Sequence, residues 1–116
     1  MPPPSVVLCI DDRPVLEYAK GFLKYFGYTV LTATGGAEGL KLASLHPVDI
    51  VIVDYEMRNI DWAEVVAEMR RLRPKARIIM LSGAGIPEQV RRMVDAFVPK
   101  KYISSHLLPA VGRLTA

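Results

Sequence analysis

"VVLCIDDRP", residues Val6–Pro14, runs five apolar side chains straight into two adjacent carboxylates, Asp11 and Asp12, and then breaks off at Arg13-Pro14. An unbroken apolar run, without the alternation of a half-exposed strand, marks a strand covered on both faces. The same design recurs along the chain. Asp49–Val53 leads into Asp54 in "IVIVDYEM" (Ile50–Met57), Arg77–Leu81 into Ser82 in "IIMLSG" (Ile78–Gly83), and Ala96–Val98 toward Lys100 in "AFVPKK" (Ala96–Lys101). Tyr28–Ala33 reads as a further strand.

The stretches between these strands carry helical periodicity. Val15, Leu16, Ala19, Phe22, Leu23 and Phe26 recur at the spacing of one apolar stripe, and Gly27 supplies a stop. Trp62, Val65, Val66, Met69 and Leu72 repeat the pattern before Pro74. Pro87–Val94 and Ser104–Leu114 predict two shorter helices, with Pro or Ser near their starts. Ala37–Leu45 predicts another, interrupted by Gly39. Five strands alternating with five helices imply right-handed crossovers and an α/β fold, a doubly wound parallel sheet covered on both faces.

At 116 residues, 51% of them hydrophobic, the chain suits a single domain, 1–116, with a core of its own. Apolar runs such as Ile50–Val53 and Ile78–Leu81 are far too short to cross a bilayer, and Met1-Pro-Pro-Pro lacks the regions of a signal peptide. A cytoplasmic protein is the expectation. The single cysteine, Cys9, lies inside an apolar run and reads as a core thiol. A net charge of +3 is mild for a nucleic-acid binder. The basic stretch "MRRLRPKAR" (Met69–Arg77) has no interleaved aromatics and reads as a solvated helix end whose cations suit the macrodipole.

In a doubly wound fold, ligands bind outside the carboxyl ends of the strands. Asp11, Asp12, Asp54, Ser82 and Lys100 all fall on that rim. Three carboxylates there resist ionising together unless a cation sits among them. Oxygen donors beside a lysine favour a hard ion, Mg²⁺ or Mn²⁺, over zinc, since His46 and His106 fall elsewhere. A lysine and a hydroxyl at the same rim suit the oxygens of a phosphoryl group, and the central Asp54 suits a covalent acceptor. "ATGGAEGLK" (Ala33–Lys41) has glycines but no phosphate-loop pattern, Glu17 and Glu38 lie on polar helix faces, and no Ser-His-Asp set shares a rim.

The arrangement resembles the receiver domain of bacterial two-component response regulators over essentially the whole chain: Asp11-Asp12 after the first strand, Asp54 after the third, Ser82 after the fourth, and Phe97 three residues before Lys100. The resemblance implies a flavodoxin-like sheet of order 2-1-3-4-5. It implies that Asp54 is the phosphoacceptor, that Asp12 and Asp54 are direct metal ligands with Asp11 acting through water, and that the backbone carbonyl of Glu56 completes the set. Ser82 and Lys100 then hold phosphoryl oxygens, and Phe97 is an aromatic switch that turns inward as Ser82 moves. A plain core phenylalanine is the other reading of that ring. The implied partners are a histidine kinase or histidine phosphotransfer protein upstream and a protein downstream.

Four departures stand out. Arg58 and Trp62 replace the family's usual proline and glycine after the acceptor. Lys100-Lys101 replaces its Lys-Pro step, which favours a trans bond here, with Pro99 placed where an edge strand tolerates it. The interval from Ser82 to Lys100 is short by about one helical turn, which bears on the fourth helix. With the five chemical positions intact, a phosphorylated receiver is the first expectation and a phosphorylation-independent pseudo-receiver the second. The input half of a longer DNA-binding regulator is a third, weaker one, since the residues after Lys100 suffice only for a last helix.

Overall fold

Successive side chains of a strand point to opposite faces of a sheet, and in this protein both faces are apolar. Val7, Cys9, Ile50, Ile52, Ile79, Leu81 and Val98 form one buried layer, and Leu8, Ile10, Val51, Val53, Ile78 and Met80 the other. The computed structural model describes residues 5–11, 16–57 and 60–116. Asp12, Arg13, Pro14, Val15 and Arg58, which figured in the sequence reading, lie outside them.

The chain order is β1 (Val6–Ile10), α1 (Glu17–Tyr25), β2 (Thr29–Ala33), α2 (Gly36–Leu45), β3 (Ile50–Asp54), α3 (Trp62–Leu72), β4 (Arg77–Ser82), α4 (Glu88–Arg91), β5 (Ala96–Pro99) and α5 (Leu108–Thr115). The five strands are parallel, in the order β2-β1-β3-β4-β5. Residues of α1 and α5 pack on the layer of Cys9, while those of α2 and α3 pack on the layer of Leu8. This is the expected doubly wound, flavodoxin-like architecture. No helix among the described residues is long and apolar enough to cross a membrane.

Local chemistry explains the element ends. After α1, Gly27 takes φ 94°, its N–H donates to Lys24, and the Tyr28 N–H donates to Leu23. That pair of bonds is a left-handed helix stop, and it holds Tyr28 out of β2, which begins one residue later than predicted. Gly39 interrupts nothing: a Cβ there would meet Ile10 Cδ1 at 2.4 Å, so glycine is what lets α2 lie close on β1. Asp61 caps α3, accepting from the Glu64 N–H at 3.2 Å.

Three expectations change. Of the predicted stripe on α1, Leu16, Ala19 and Leu23 are buried, but Phe22 is 42% and Phe26 57% exposed. Those rings flank the stripe and meet Tyr18 and Tyr25 edge-to-face at the surface. The fourth helix, predicted over Pro87–Val94, has only four residues, because the Asp95 N–H must reach the Ile78 carbonyl at 2.8 Å to begin β5. The last helix starts not at Ser104 but at Leu108, after a 3₁₀ turn at Lys100–Tyr102 and a π-helical segment at Ile103–Leu107. Pro109 has no N–H for the carbonyl four residues earlier, so the regular ladder can begin only around it.

The basic stretch is also less solvated than predicted. Arg70 bonds Asp95 at 3.0 Å and the Met93 carbonyl at 3.0 Å, and Arg73 bonds the Ala43 carbonyl at 2.8 Å. Arg71 pairs with Glu68, and Arg77 with Asp95. Arg70 therefore ties α3 to the segment before β5, and Arg73, at the end of α3, ties it to α2.

Candidate functional site: the carboxylate and lysine rim

The sheet register gathers the predicted site. Ile10 pairs with Val53, Asp54 with Leu81 and Ser82 with Pro99, so Asp11, Asp54, Ser82 and Lys100 come to the carboxyl ends of adjacent strands. Asp54 closes β3, the central strand, and is 1% exposed. Its Oδ1 accepts the Glu56 N–H at 2.9 Å and lies 2.9 Å from Lys100 Nζ. Lys100 is also 3.0 Å from Glu56 Oε1. Burial pulls the Lys100 ammonium down, but its hydrogen bonds to Asp54 and Glu56, with their charges, outweigh this and hold it above the ordinary lysine value.

Asp11 is buried at the end of β1. Its Oδ2 accepts the Leu16 N–H at 3.1 Å, and its Oδ1 lies 3.4 Å from Lys20 Nζ. Lys20 also pairs with Glu17 at 3.1 Å. Burial lowers the Lys20 ammonium, and the bonds to Glu17 and Asp11 more than restore it. Lys20 was not foreseen. Its sequence signal is only a Glu17–Lys20 pair one turn apart, which any exposed helix can carry.

Ser82 is buried, with its Oγ accepting the Ala84 N–H at 3.2 Å. The hydroxyl is thus tied to its own loop. Phe97 is not a core ring: it is half-buried, and the Arg91 guanidinium lies 5.2 Å from its centroid. The resemblance gives Glu56 a role through its backbone carbonyl, and its side chain also reaches the rim: Oε1 accepts the Gly83 N–H at 2.5 Å and faces Lys100. Trp62, standing where glycine is usual, is buried and donates its indole N–H to the Tyr55 carbonyl at 2.9 Å. It braces the loop that follows Asp54. The described residues contain no cis peptide bond, so Lys100-Lys101 is trans.

Asp12 lies outside the described residues, which by themselves contain no group of three or more acidic, histidine or cysteine side chains able to hold a metal. Asp11 and Asp54 nonetheless supply buried, oxygen-only donors at one rim, chemistry that fits a hard divalent cation. Away from the rim, an apolar cavity of about 200 Å³ opens between α1 and the approach to α5, lined by Phe22, Phe26, Ile103 and Leu107 among others. Its lining carries no charged side chain.

The α/β domain thus carries an aspartate, a serine and a lysine at the strand ends of a flavodoxin-like sheet. The chain belongs to the response regulator receiver domain family, whose model matches residues 7–111. It is 38% identical over 113 residues to the transcriptional regulatory protein GlrR of Escherichia coli, and 29% identical over 110 residues to the cell cycle response regulator CtrA of Brucella ovis. These alignments cover 93% and 91% of this chain but only 26% of GlrR and 47% of CtrA.

Among solved structures, the response regulator TrrA of Thermotoga maritima, in complex with Mg(2+)-BeF, superposes with a TM-score of 0.84 at 32% identity, covering 95% of this chain and 98% of that one. Chemotaxis protein CheY4 of Vibrio cholerae gives 0.84 at 27%, covering 96% and 98%. A response regulator from Burkholderia pseudomallei, solved with a phosphorylated aspartic acid and a calcium ion, gives 0.79 at 26%, covering 95% and 66%. Two of these three similar structures thus contain a divalent metal ion.

Proposed function

We propose that Asp54 is the phosphoacceptor of this receiver domain, taking a phosphoryl group from the phosphohistidine of a kinase or phosphotransfer protein. The observation that carries the reading is the 2.9 Å contact of Lys100 Nζ with the Asp54 carboxylate, beside the buried Ser82 at the next strand end. In the transfer, an Asp54 carboxylate oxygen forms the new bond to phosphorus while the bond from phosphorus to the donor nitrogen breaks. Lys100 holds the acceptor by charge and is placed to hold a phosphoryl oxygen as well. Ser82, whose Oγ accepts from Ala84, has its O–H proton to donate to a second oxygen, and Phe97 turns toward the space the hydroxyl leaves.

Asp12 and Asp54, with Asp11 through water and the Glu56 carbonyl, are the residues assigned to hold Mg²⁺, or Mn²⁺. When bound, the cation neutralises charge on the phosphoryl oxygens during transfer. The domain, 1–116, is proposed to work in the cytoplasm through protein partners. Two cations of its basic stretch, Arg70 and Arg73, serve internal bonds.

Intact-mass analysis after treatment with phosphoramidate and Mg²⁺ tests the assignment. One added phosphoryl group is expected on the wild type and none on Asp54→Asn, because an amide is a far weaker nucleophile than a carboxylate. A wild type that stays unmodified under metal-saturating conditions would favour a phosphorylation-independent binding module instead.

A further inference from the structure

Glu56 Oε1 lies 3.0 Å from Lys100 Nζ and 2.5 Å from the Gly83 nitrogen. One anionic oxygen therefore occupies a cradle of two donors, an ammonium and the backbone N–H of the residue that follows Ser82. That is the environment an oxygen of a phosphoryl group needs. Gly83 makes the approach close: a Cβ at that position would lie 3.0 Å from the same oxygen. We propose that the Glu56 carboxylate is an internal competitor for the phosphoryl site, filling the Lys100–Gly83 cradle in the resting protein and leaving it when the phosphoryl group arrives. The inference rests on Asp54 being the acceptor.

The physical case has three parts. The Gly83 N–H has a single proton, so it serves either Glu56 or an incoming oxygen. A carboxylate held beside Lys100 also repels an incoming dianion, and that repulsion is strong at a partly desolvated site. Glu56 has a way out, because its side chain is 45% exposed and follows β3 in a turn rather than a rigid element. Glu56 is thus a positioning residue that acts on donor access through Lys100 and Gly83, and the bond-making atom remains on Asp54.

Competition of this kind separates binding of the phosphodonor from the chemical step. Wild type, Glu56→Gln and Glu56→Ala are compared with phosphoramidate at saturating Mg²⁺, following Asp54 phosphorylation by intact mass, alongside amide spectra of the untreated proteins. The Gly83 amide resonance is expected to move upfield in both variants as its charged acceptor is lost. The half-saturating phosphoramidate concentration is expected to fall by about tenfold, the scale of one charge-assisted hydrogen bond, with a smaller change in the limiting rate. Half-saturation unchanged or raised in both variants, or a Gly83 amide that does not move, overturns the proposal. If wild type and variants alike stay unphosphorylated, the acceptor assignment has failed and the competitor role falls with it. Those outcomes are distinguishable because the wild type alone reports on Asp54.

Discussion

The indole N–H of Trp62, the first residue of α3, donates to the carbonyl of Tyr55, the residue directly after Asp54. A helix start and the loop that emerges from the central strand are thereby tied together over seven residues. Trp62→Phe keeps most of the buried ring and removes the donor. Its expected cost is about 1 kcal/mol, the net worth of one intramolecular hydrogen bond, read as a lower urea midpoint with an unchanged slope. An unchanged midpoint would mean that the indole contributes packing alone.

Lys20 stands beside Asp11 as an internal counter-charge. Replacing it by methionine leaves the buried carboxylate without that cation, so the metal-free protein should lose more than the ~1 kcal/mol of an exposed ion pair. Mg²⁺ should bind several-fold more tightly, since it no longer competes with an ammonium. Amide shifts at Asp11 and Asp54 in a magnesium titration, with Trp62 fluorescence beside them, measure both proteins. Weaker binding in Lys20→Met would refute the counter-charge role.

Ser82 and Phe97 provide the test of switching. Ser82→Ala should leave Asp54 able to accept a phosphoryl group while weakening the response at Phe97 and over Arg91, Arg92 and Lys101. A ligand shifts a two-state element only through contacts that differ between the states, and the hydroxyl is such a contact. Spectra of both proteins with and without beryllofluoride decide the matter. A full response in the mutant would show that the signal leaves by another route.

Asp95 gives a pH dependence with a definite sign. Burial raises its carboxyl, but the Ile78 N–H and the Arg70 and Arg77 guanidinium groups outweigh this and hold it below the ordinary carboxylate value. A depressed carboxylate contributes stability that is complete above its unfolded pKa, about 3.9, and is lost as pH falls through the folded value. Asp95→Asn should therefore cost about 1 to 3 kcal/mol at neutral pH, with the gap to wild type closing in acid. Parallel urea titrations at neutral pH and near pH ~3 check this, and a constant gap would exclude a charge effect.

The strands and the rim were legible because both follow from short patterns. Continuous apolar runs show where strands are buried on two faces, and a polar residue ending such a run can only emerge at the sheet's edge. That logic finds Asp54, Ser82 and Lys100 without any contact being known. It does not find Lys20 beside Asp11, or the Glu56 side chain between Lys100 and Gly83, because those pairings depend on side-chain directions in turns. The length of α4 was partly visible in the short interval before Lys100. Its reduction to four residues depended on where Asp95 must meet Ile78. Phe22 and Phe26 fit a helical stripe yet stay partly exposed at the apolar cavity, since a stripe wider than the groove beneath it leaves its flanks uncovered.

Cys9 sits midway along β1, between β2 and β3, with none of its surface exposed, and burial pushes its thiol up to about 12. A thiol held in that state is closed to alkylating reagents until the sheet itself parts. The chain's single cysteine is therefore a built-in clock for global opening, and its labelling rate records, without any added probe, how much each ligand of the rim slows the unfolding of the whole domain.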